Sequence, residues 1–409
     1  MKSFDVPVAY RSSYISALKV KRKEADKMKK NFSPTFLDFG PLRIYLSRHF
    51  GFCYGVENAI DIAFRTIEEN KDKRIFLLSE MIHNPQVNSD LKKSGVQFLQ
   101  DNKGHQIVPF EDLSSDDIVL VPAFGTTLPI ENKLRSIGIQ IEKYDTTCPF
   151  VEKVWNRSEV IAKSNYTIII HGKPDHEETR ATFSHASFNA PAVVVKDMQQ
   201  TIALAKYIKG ETPYSFFGEE FKGQYSEGFD PRTHLDRIGV VNQTTMLATD
   251  TQAIADYLKD IMIQKFSLDD KNVRDHFADT RDTLCYATND NQSAVSGMLQ
   301  TKANLAIVVG GYNSSNTSHL VELCEEVLPT YFVNSAEKIL SANTIMHFDF
   351  HNGREMVSEN YLPDERPVSI LITSGASCPD AVVEEIIRKV SGFFPGVKPL
   401  EEVVPHFQY

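Results

Sequence analysis

Seven short apolar runs constrain the fold of this chain more than any other feature. They are "RIFLLSE" (74–80), "DIVLVPAFG" (117–125), "YTIIIHG" (166–172), "PAVVVKD" (191–197), "RIGVVNQ" (237–243), "LAIVVGG" (305–311) and "VSILITSGAS" (368–377). Each is rich in β-branched residues, and most are continuously apolar rather than alternating. A strand that is apolar on both faces belongs in a parallel sheet covered by helices, and several of these runs lead directly into helical patterns. The chain therefore reads as an α/β protein. Most runs end in Gly, Ser, Thr or His, which gathers polar residues beyond the carboxyl ends of the strands, where such sheets bind ligands.

A chain of 409 residues exceeds one ordinary core, so two or three domains are expected. The hydrophobic content of 42% with 24% charged residues fits a soluble globular protein. A net charge of −10 argues against a nucleic-acid-binding surface. No apolar run approaches the roughly 18 residues a membrane span needs, and no signal peptide opens the sequence. Its five cysteines are scattered, with no CxxC pair, which makes a poor disulfide framework and favours a reducing, cytoplasmic setting. Residues 1–42 are polar, with the basic run "KVKRKEADKMKK" (19–30) at their centre. They read as a helical arm packed on the body or a partly disordered tail. Asp5, Glu24 and Asp26 count against a plastid transit peptide.

Three of the cysteines share a setting. Cys53 in "RHFGFCYGVENAIDIAF", Cys148 in "YDTTCPFVEKVW" and Cys285 in "DTLCYATNDNQ" each occupy a turn ahead of a helical pattern. A helix N-terminus favours thiolate. Two readings fit: three independent core thiols, or three ligands of one shared site. An iron–sulfur cluster tolerates widely spaced ligands, and three thiolates would leave one iron open. Cys324 lies among leucine and valine and reads as structural, as does Cys378. Zinc has little support, because no HExxH or CxxC…HxxxH spacing occurs. Domain-sized intervals separate the three cysteines, giving expected domains at 43–147, 148–284 and 285–409. The middle one carries a Gly- and aromatic-rich insert near 209–237.

Hydroxyl-rich strand ends form a second pattern. In "GGYNSSNTSHL", Ser314, Ser315 and Asn316 fall at a helix N-terminus, more hydrogen-bonding groups than one cap requires. Ser377 follows a glycine turn, and Gln243 and Thr244 close a third strand. Together these suggest a multiply charged ligand such as a diphosphate. His83 stands in "EMIHNPQVN"; His171, His176, Glu178 and Thr182 share one loop-to-helix segment. A glutamate beside a cationic site is a candidate proton donor.

On the motifs "GFCYGVENA", "EMIHNPQVN", "DTTCPFVEKV", "HEETRAT", "NQTTM", "LCYATNDNQ", "GGYNSSNTSHL" and "TSGASCPD", in that order from about Arg43 to Lys389, the chain resembles the 4-hydroxy-3-methylbut-2-enyl diphosphate reductases. These are the last enzymes of the non-mevalonate isoprenoid pathway. The resemblance implies a trefoil of three similar α/β domains around a central cavity, with a [4Fe–4S] cluster held by Cys53, Cys148 and Cys285. It implies an allylic diphosphate substrate bound by His83, His176, Ser314, Ser315, Asn316 and Ser377. Glu178 matches the acid implicated in protonation and Thr244 a neighbour that supports the polar network near the substrate, and reduced ferredoxin or flavodoxin is the implied electron donor. One departure stands out: many bacterial members carry a histidine where this chain has Phe124, and Thr126 or Thr127 is the expected substitute. The arm, the insert and Phe124 resemble the longer cyanobacterial and plant form. A zinc hydrolase and an iron–sulfur sensor on the same fold are the rival readings.

Overall fold

The computed structural model describes residues 4–28, 30–278 and 283–409. Lys29 of the basic run and Asp282 at the head of the third cysteine motif lie outside them. All seven apolar runs contain strands. The chain divides into two compact units, one of residues 1–61, 82–87 and 286–409, the other of residues 62–81 and 88–285.

The first unit is built on a five-stranded sheet in the order Thr35–Asp38, Leu42–Leu46, Val368–Ser374, Leu305–Val309, Thr330–Val333. The last four run parallel and only the outermost pair, Thr35–Asp38 with Leu42–Leu46, is antiparallel. Ile370 pairs with Ile44 on one side and Leu305 on the other, so three neighbouring strands end on the same edge. Beyond that edge the chain carries Cys53, Ser377 and the Ser314–Asn316 turn. Helix Asp380–Ser391 covers one face, burying Val383, Ile386, Ile387 and Val390. The N-terminal arm forms helix Ser13–Ala25, capped by Ser12, whose Oγ accepts from the Ile15 N–H at 3.0 Å. Ile15 and Leu18 of this helix join the same core. A separate antiparallel hairpin, Thr344–Asp349 with Arg354–Glu359, completes the unit.

The second unit holds two three-stranded parallel sheets. One has the order Gln97–Phe98, Ile75–Leu77, Ile118–Leu120; the other Ala192–Val195, Thr167–His171, Ile238–Asn242. In the latter every strand residue is buried, as continuous apolar runs require. Segment 209–237 packs its own aromatic cluster, in which Phe217 stacks on both Phe221 and Phe229. The cores are thus centred on the sheets, and the polar strand ends are left as the chemically interesting surface. Among the described residues no helix is long and apolar enough to cross a membrane.

Candidate functional site

Cys53, Cys148 and Cys285 are built into the chain by one repeated device. Each is the residue immediately before a helix: Tyr54–Glu69, Pro149–Ala162 and Tyr286–Met298. Each also donates its backbone N–H to a carbonyl just past the end of a strand. Cys53 bonds Ala376 at 3.1 Å, Cys148 bonds Ala123 at 3.0 Å and Cys285 bonds Thr244 at 3.2 Å. The three are half-buried, whereas Cys324 and Cys378 are buried, and none of the five is in a disulfide. Thiols pinned by their own backbone at positively polarised helix starts are each suited to act as a ligand.

The anion-binding candidates of the first unit form a buried polar cluster. Ser314 is a helix N-cap: its Oγ accepts from the Thr317 N–H at 3.3 Å and from Thr317 Oγ1 at 3.0 Å. That leaves its own O–H proton for another partner. The next two residues carry the stronger signal. Ser315 Oγ and Asn316 Nδ2 are buried and meet no hydrogen-bond partner. Asn316 Oδ1 is fixed by the Ala376 N–H at 2.9 Å and Asn291 Nδ2 at 3.3 Å, so the amide's remaining function is its unpaired donor. A buried orphan donor costs about 1–3 kcal/mol, and two at one helix N-terminus mark a place for an acceptor-rich ligand. Ser377 Oγ instead spends its proton on the His83 carbonyl at 3.1 Å, and its own carbonyl accepts from Asn84 Nδ2 at 2.9 Å. The structure brings Ser377 and His83 together through backbone, a relationship the sequence did not suggest.

In the second unit, His176 caps helix Glu177–Asn189, its Nδ1 accepting from the Glu178 N–H at 3.1 Å. A ring accepting at Nδ1 in its neutral form carries its proton on Nε2. Glu178 is buried, with 2% of its surface exposed. Its carboxylate accepts from the Thr244 N–H at 2.5 Å and from Thr244 Oγ1 at 2.9 Å. Burial pushes the Cys148 thiol up to about 11, with Cys285 and Glu178 close enough to raise it further and backbone N–H groups of Phe150 and Val151 opposing. Cys148, Cys285 and Glu178 therefore share one neighbourhood.

Phe124 sets its ring edge-on to His176, with centroids 5.7 Å apart at 82°. The apolar substitution thus sits beside a site histidine. Thr126 and Thr127, the expected substitutes, line a cavity of about 170 Å³ whose walls include Ser79, Glu177 and Arg180 but neither His176 nor Glu178. Gln243 is committed to the scaffold, its Oε1 accepting from the Lys173 N–H and from Thr179 Oγ1. His171 is buried, with Nδ1 at 3.2 Å from Thr251 Oγ1, and Thr182 accepts from Trp155 Nε1. Sequence reasoning missed Glu177, which is buried and accepts from Ser79 Oγ. Its adjacency to Glu178 in "HEET" was the available signal.

Among the described residues, no group of three His, Cys, Asp or Glu side chains converges closely enough to hold a single metal ion. A mononuclear site needs such convergence. Thiolates are the ligands of iron–sulfur groups, and three of them would leave one iron open.

Parallel sheets with cysteines and hydroxyl-rich turns beyond the carboxyl ends of their strands define an α/β protein. The model of the LytB protein family matches residues 44–391, and the chain belongs to that family. It is 40% identical over 364 residues to the 4-hydroxy-3-methylbut-2-enyl diphosphate reductase of Microcystis aeruginosa, covering 89% of this chain and 88% of that one. It is likewise 40% identical to the enzyme of that name from Trichodesmium erythraeum, over 87% of this chain and 86% of the relative. Among solved structures it shares the fold of the E-1-hydroxy-2-methyl-but-2-enyl-4-diphosphate reductase from Plasmodium falciparum. That match has a TM-score of 0.59 at 23% identity, covering 84% of this chain and 86% of that one. A structure titled as (E)-4-hydroxy-3-methyl-but-2-enyl diphosphate reductase, the terminal enzyme of the non-mevalonate pathway, aligns with a TM-score of 0.51 at 23% identity, over 85% of this chain and 99% of that one.

Proposed function

We propose that this protein catalyses the reductive dehydroxylation of (E)-4-hydroxy-3-methylbut-2-enyl diphosphate to isopentenyl diphosphate and dimethylallyl diphosphate. Two electrons and two protons replace the C–O bond by C–H and release water. Cys53, Cys148 and Cys285 would hold a [4Fe–4S] cluster, which supplies electrons and Lewis acidity when bound. The names of the curated relatives support this reading, and one observation within the chain carries it. Ala376 accepts the Cys53 N–H through its carbonyl and donates its own N–H to Asn316. A single residue thereby ties a thiolate loop to the turn that holds two orphan donors.

The chain's own groups have distinct tasks. Ser314, Ser315 and Asn316 clamp the diphosphate with the helix N-terminus behind them, and the Nε2–H of His176 adds a donor. His83 and Ser377 would bind the same ligand; Ser377 must release the His83 carbonyl to donate. Glu178 holds the proton for the leaving oxygen, oriented by Thr244. The division into segments 43–147, 148–284 and 285–409 about a central cavity belongs to the same proposal, supported by the cysteine-before-helix device. So do reduced ferredoxin or flavodoxin as donor and a cytoplasmic location. The test is anaerobic purification, iron and sulfide analysis, and turnover of the allylic alcohol diphosphate with a chemical reductant. A brown, iron- and sulfide-containing protein that forms both isomers is expected. Colourless zinc protein without turnover overturns the assignment.

A further inference from the structure

The arm helix reaches into the scaffold of the thiolate loop through one side chain. Lys19 Nζ lies 2.6 Å from Asp380 Oδ1 and donates to the Phe50 carbonyl at 2.9 Å, with its ammonium 4.4 Å from the Phe50 ring centroid. Between them runs Gly51, at φ +80°. A Cβ there would stand 2.3 Å from Asp380 Oδ1 and 2.7 Å from Lys19 Nζ, so the ion pair is pressed flat against the glycine backbone. The Gly51 N–H is held by Ser374 Oγ at 3.0 Å, and the Cys53 N–H by the Ala376 carbonyl. Asp380 opens the helix that follows Ser377 and Pro379. Three segments therefore meet at this pair: the arm, the turn that presents Cys53, and the turn that presents Ser377.

We propose that Lys19 is a positioning residue for Cys53, and that the N-terminal arm is thereby a working part of the site. The proposal rests on the reading of Cys53 as a cluster ligand. The ammonium fixes the carbonyl three residues before the thiol and opposes the Asp380 carboxylate, with Glu57 of the helix that Cys53 heads within electrostatic reach of both. Without it, Asp380 faces the Phe50 carbonyl unopposed, and the turn is free to shift the sulfur.

The experiment compares Lys19→Met, Lys19→Arg and Lys23→Met in the full-length holoprotein, with Cys53→Ser alongside. Lys23 is exposed on the same helix, so Lys23→Met makes the same change of charge without touching the turn. Iron release to a chelator under anaerobic conditions and the electron paramagnetic resonance spectrum of the reduced protein are measured. Iron loss from Lys19→Met is expected to be about five- to tenfold faster, the discounted worth of a part-exposed charged hydrogen bond, with an altered spectrum. Lys19→Arg is expected to restore both, and Lys23→Met to match the parent. Parent-like iron release and spectrum in Lys19→Met, with Cys53→Ser losing its iron, overturns the inference and leaves the ligand reading standing. Full iron retention in Cys53→Ser overturns the ligand reading itself. If Lys19→Met yields no folded protein, Lys19→Ala, which removes the ammonium without setting a thioether against Asp380, is read by the same two measurements; parent-like behaviour there also overturns the inference.

Discussion

Thr244 grips Glu178 with both of its donors while offering its carbonyl to Cys285. The Thr244 N–H and Oγ1 lie 2.5 and 2.9 Å from the two carboxylate oxygens, and the Cys285 N–H lies 3.2 Å from the Thr244 carbonyl. One residue thus couples the proposed acid to a proposed ligand. Both carboxylate oxygens are acceptors here, so a proton arriving on Oε2 reverses the Thr244 hydroxyl bond. Glu178→Gln keeps the shape and removes the acid. Its kcat is expected to fall roughly 10²–10⁴-fold with iron content and substrate-induced spectral change intact. Thr244→Val, which keeps the N–H bond and loses the hydroxyl, is expected to fall between that variant and the parent. A kcat within a few-fold of the parent in Glu178→Gln would place the proton elsewhere.

The cysteines separate into two groups by structure alone. Cys53→Ser, Cys148→Ser and Cys285→Ser are each expected to lose most iron and activity. Cys324→Ser and Cys378→Ser are expected to keep both, since those thiols are buried within hydrophobic clusters. Iron and sulfide assays on the five variants decide this, and a normal cluster in any of the first three sinks the assignment.

The same burial gives an alkaline signature. Desolvation pushes the Cys324 and Cys378 thiols up from an ordinary value of 9.0 to about 12. Between those values the unfolded chain has released protons that the folded chain retains. Folding stability contributed by these thiols is therefore present below pH 9 and falls as pH rises toward 12. Native-state alkylation at pH 8 should leave both unlabelled, and urea midpoints should decline above pH 9 less steeply in Cys324→Ala than in the parent.

Much of this was written in the chain and some was not. The seven strands were legible because two-sided burial leaves a continuous apolar run, and the cysteine-before-helix device because helix starts announce themselves locally. The hairpin Thr344–Asp349 with Arg354–Glu359 was not, since its second strand is largely exposed and carries no apolar period. Nor was the edge strand Thr35–Asp38, four residues inside a polar segment. The arm helix, which runs into the basic stretch, carries an inward stripe at Ile15, Leu18 and Arg22, whose third member is a buried arginine held by the Ser33 carbonyl at 2.9 Å. The pairing of Glu178 with Thr244 and of Ser377 with His83 joins distant parts of the chain, and one sequence gives no local trace of such contacts.

The orphan donors of the helix Ser315–Glu325 predict a binding defect without a catalytic one. Ser315→Ala with Asn316→Ala removes two contacts to the diphosphate, each worth roughly 1.5–3 kcal/mol if charge-assisted. The substrate KM is expected to rise by well over tenfold with kcat less affected. Ser315→Ala alone should be no less stable to urea than the parent, because it deletes a buried, unpaired polar atom, whereas adding Asn316→Ala also strands the Ala376 N–H and the Asn291 amide that its Oδ1 accepts, and should lower the urea midpoint. An unchanged KM would reduce this turn to a helix cap.

Phe124 offers the sharpest test of the second half of the site. Its ring edge meets His176 at 5.7 Å, in the T-shaped range where aromatic pairs gain roughly 0.5–1.5 kcal/mol beyond area burial. The ring therefore holds the imidazole in place without supplying a donor of its own. Phe124→Leu keeps an apolar body and loses the edge contact, so His176 loosens and KM should rise a few-fold, by about the worth of that contact. Phe124→His puts a second donor beside His176, and inorganic pyrophosphate should then compete with substrate about ten- to a hundredfold more tightly, the gain of one hydrogen bond to a charged group. Phe124→Tyr, whose hydroxyl extends beyond the ring, separates a need for a donor from a need for an imidazole at that depth. If pyrophosphate inhibits all four proteins equally, position 124 does not face the diphosphate, and His176 binds it unaided by that neighbour.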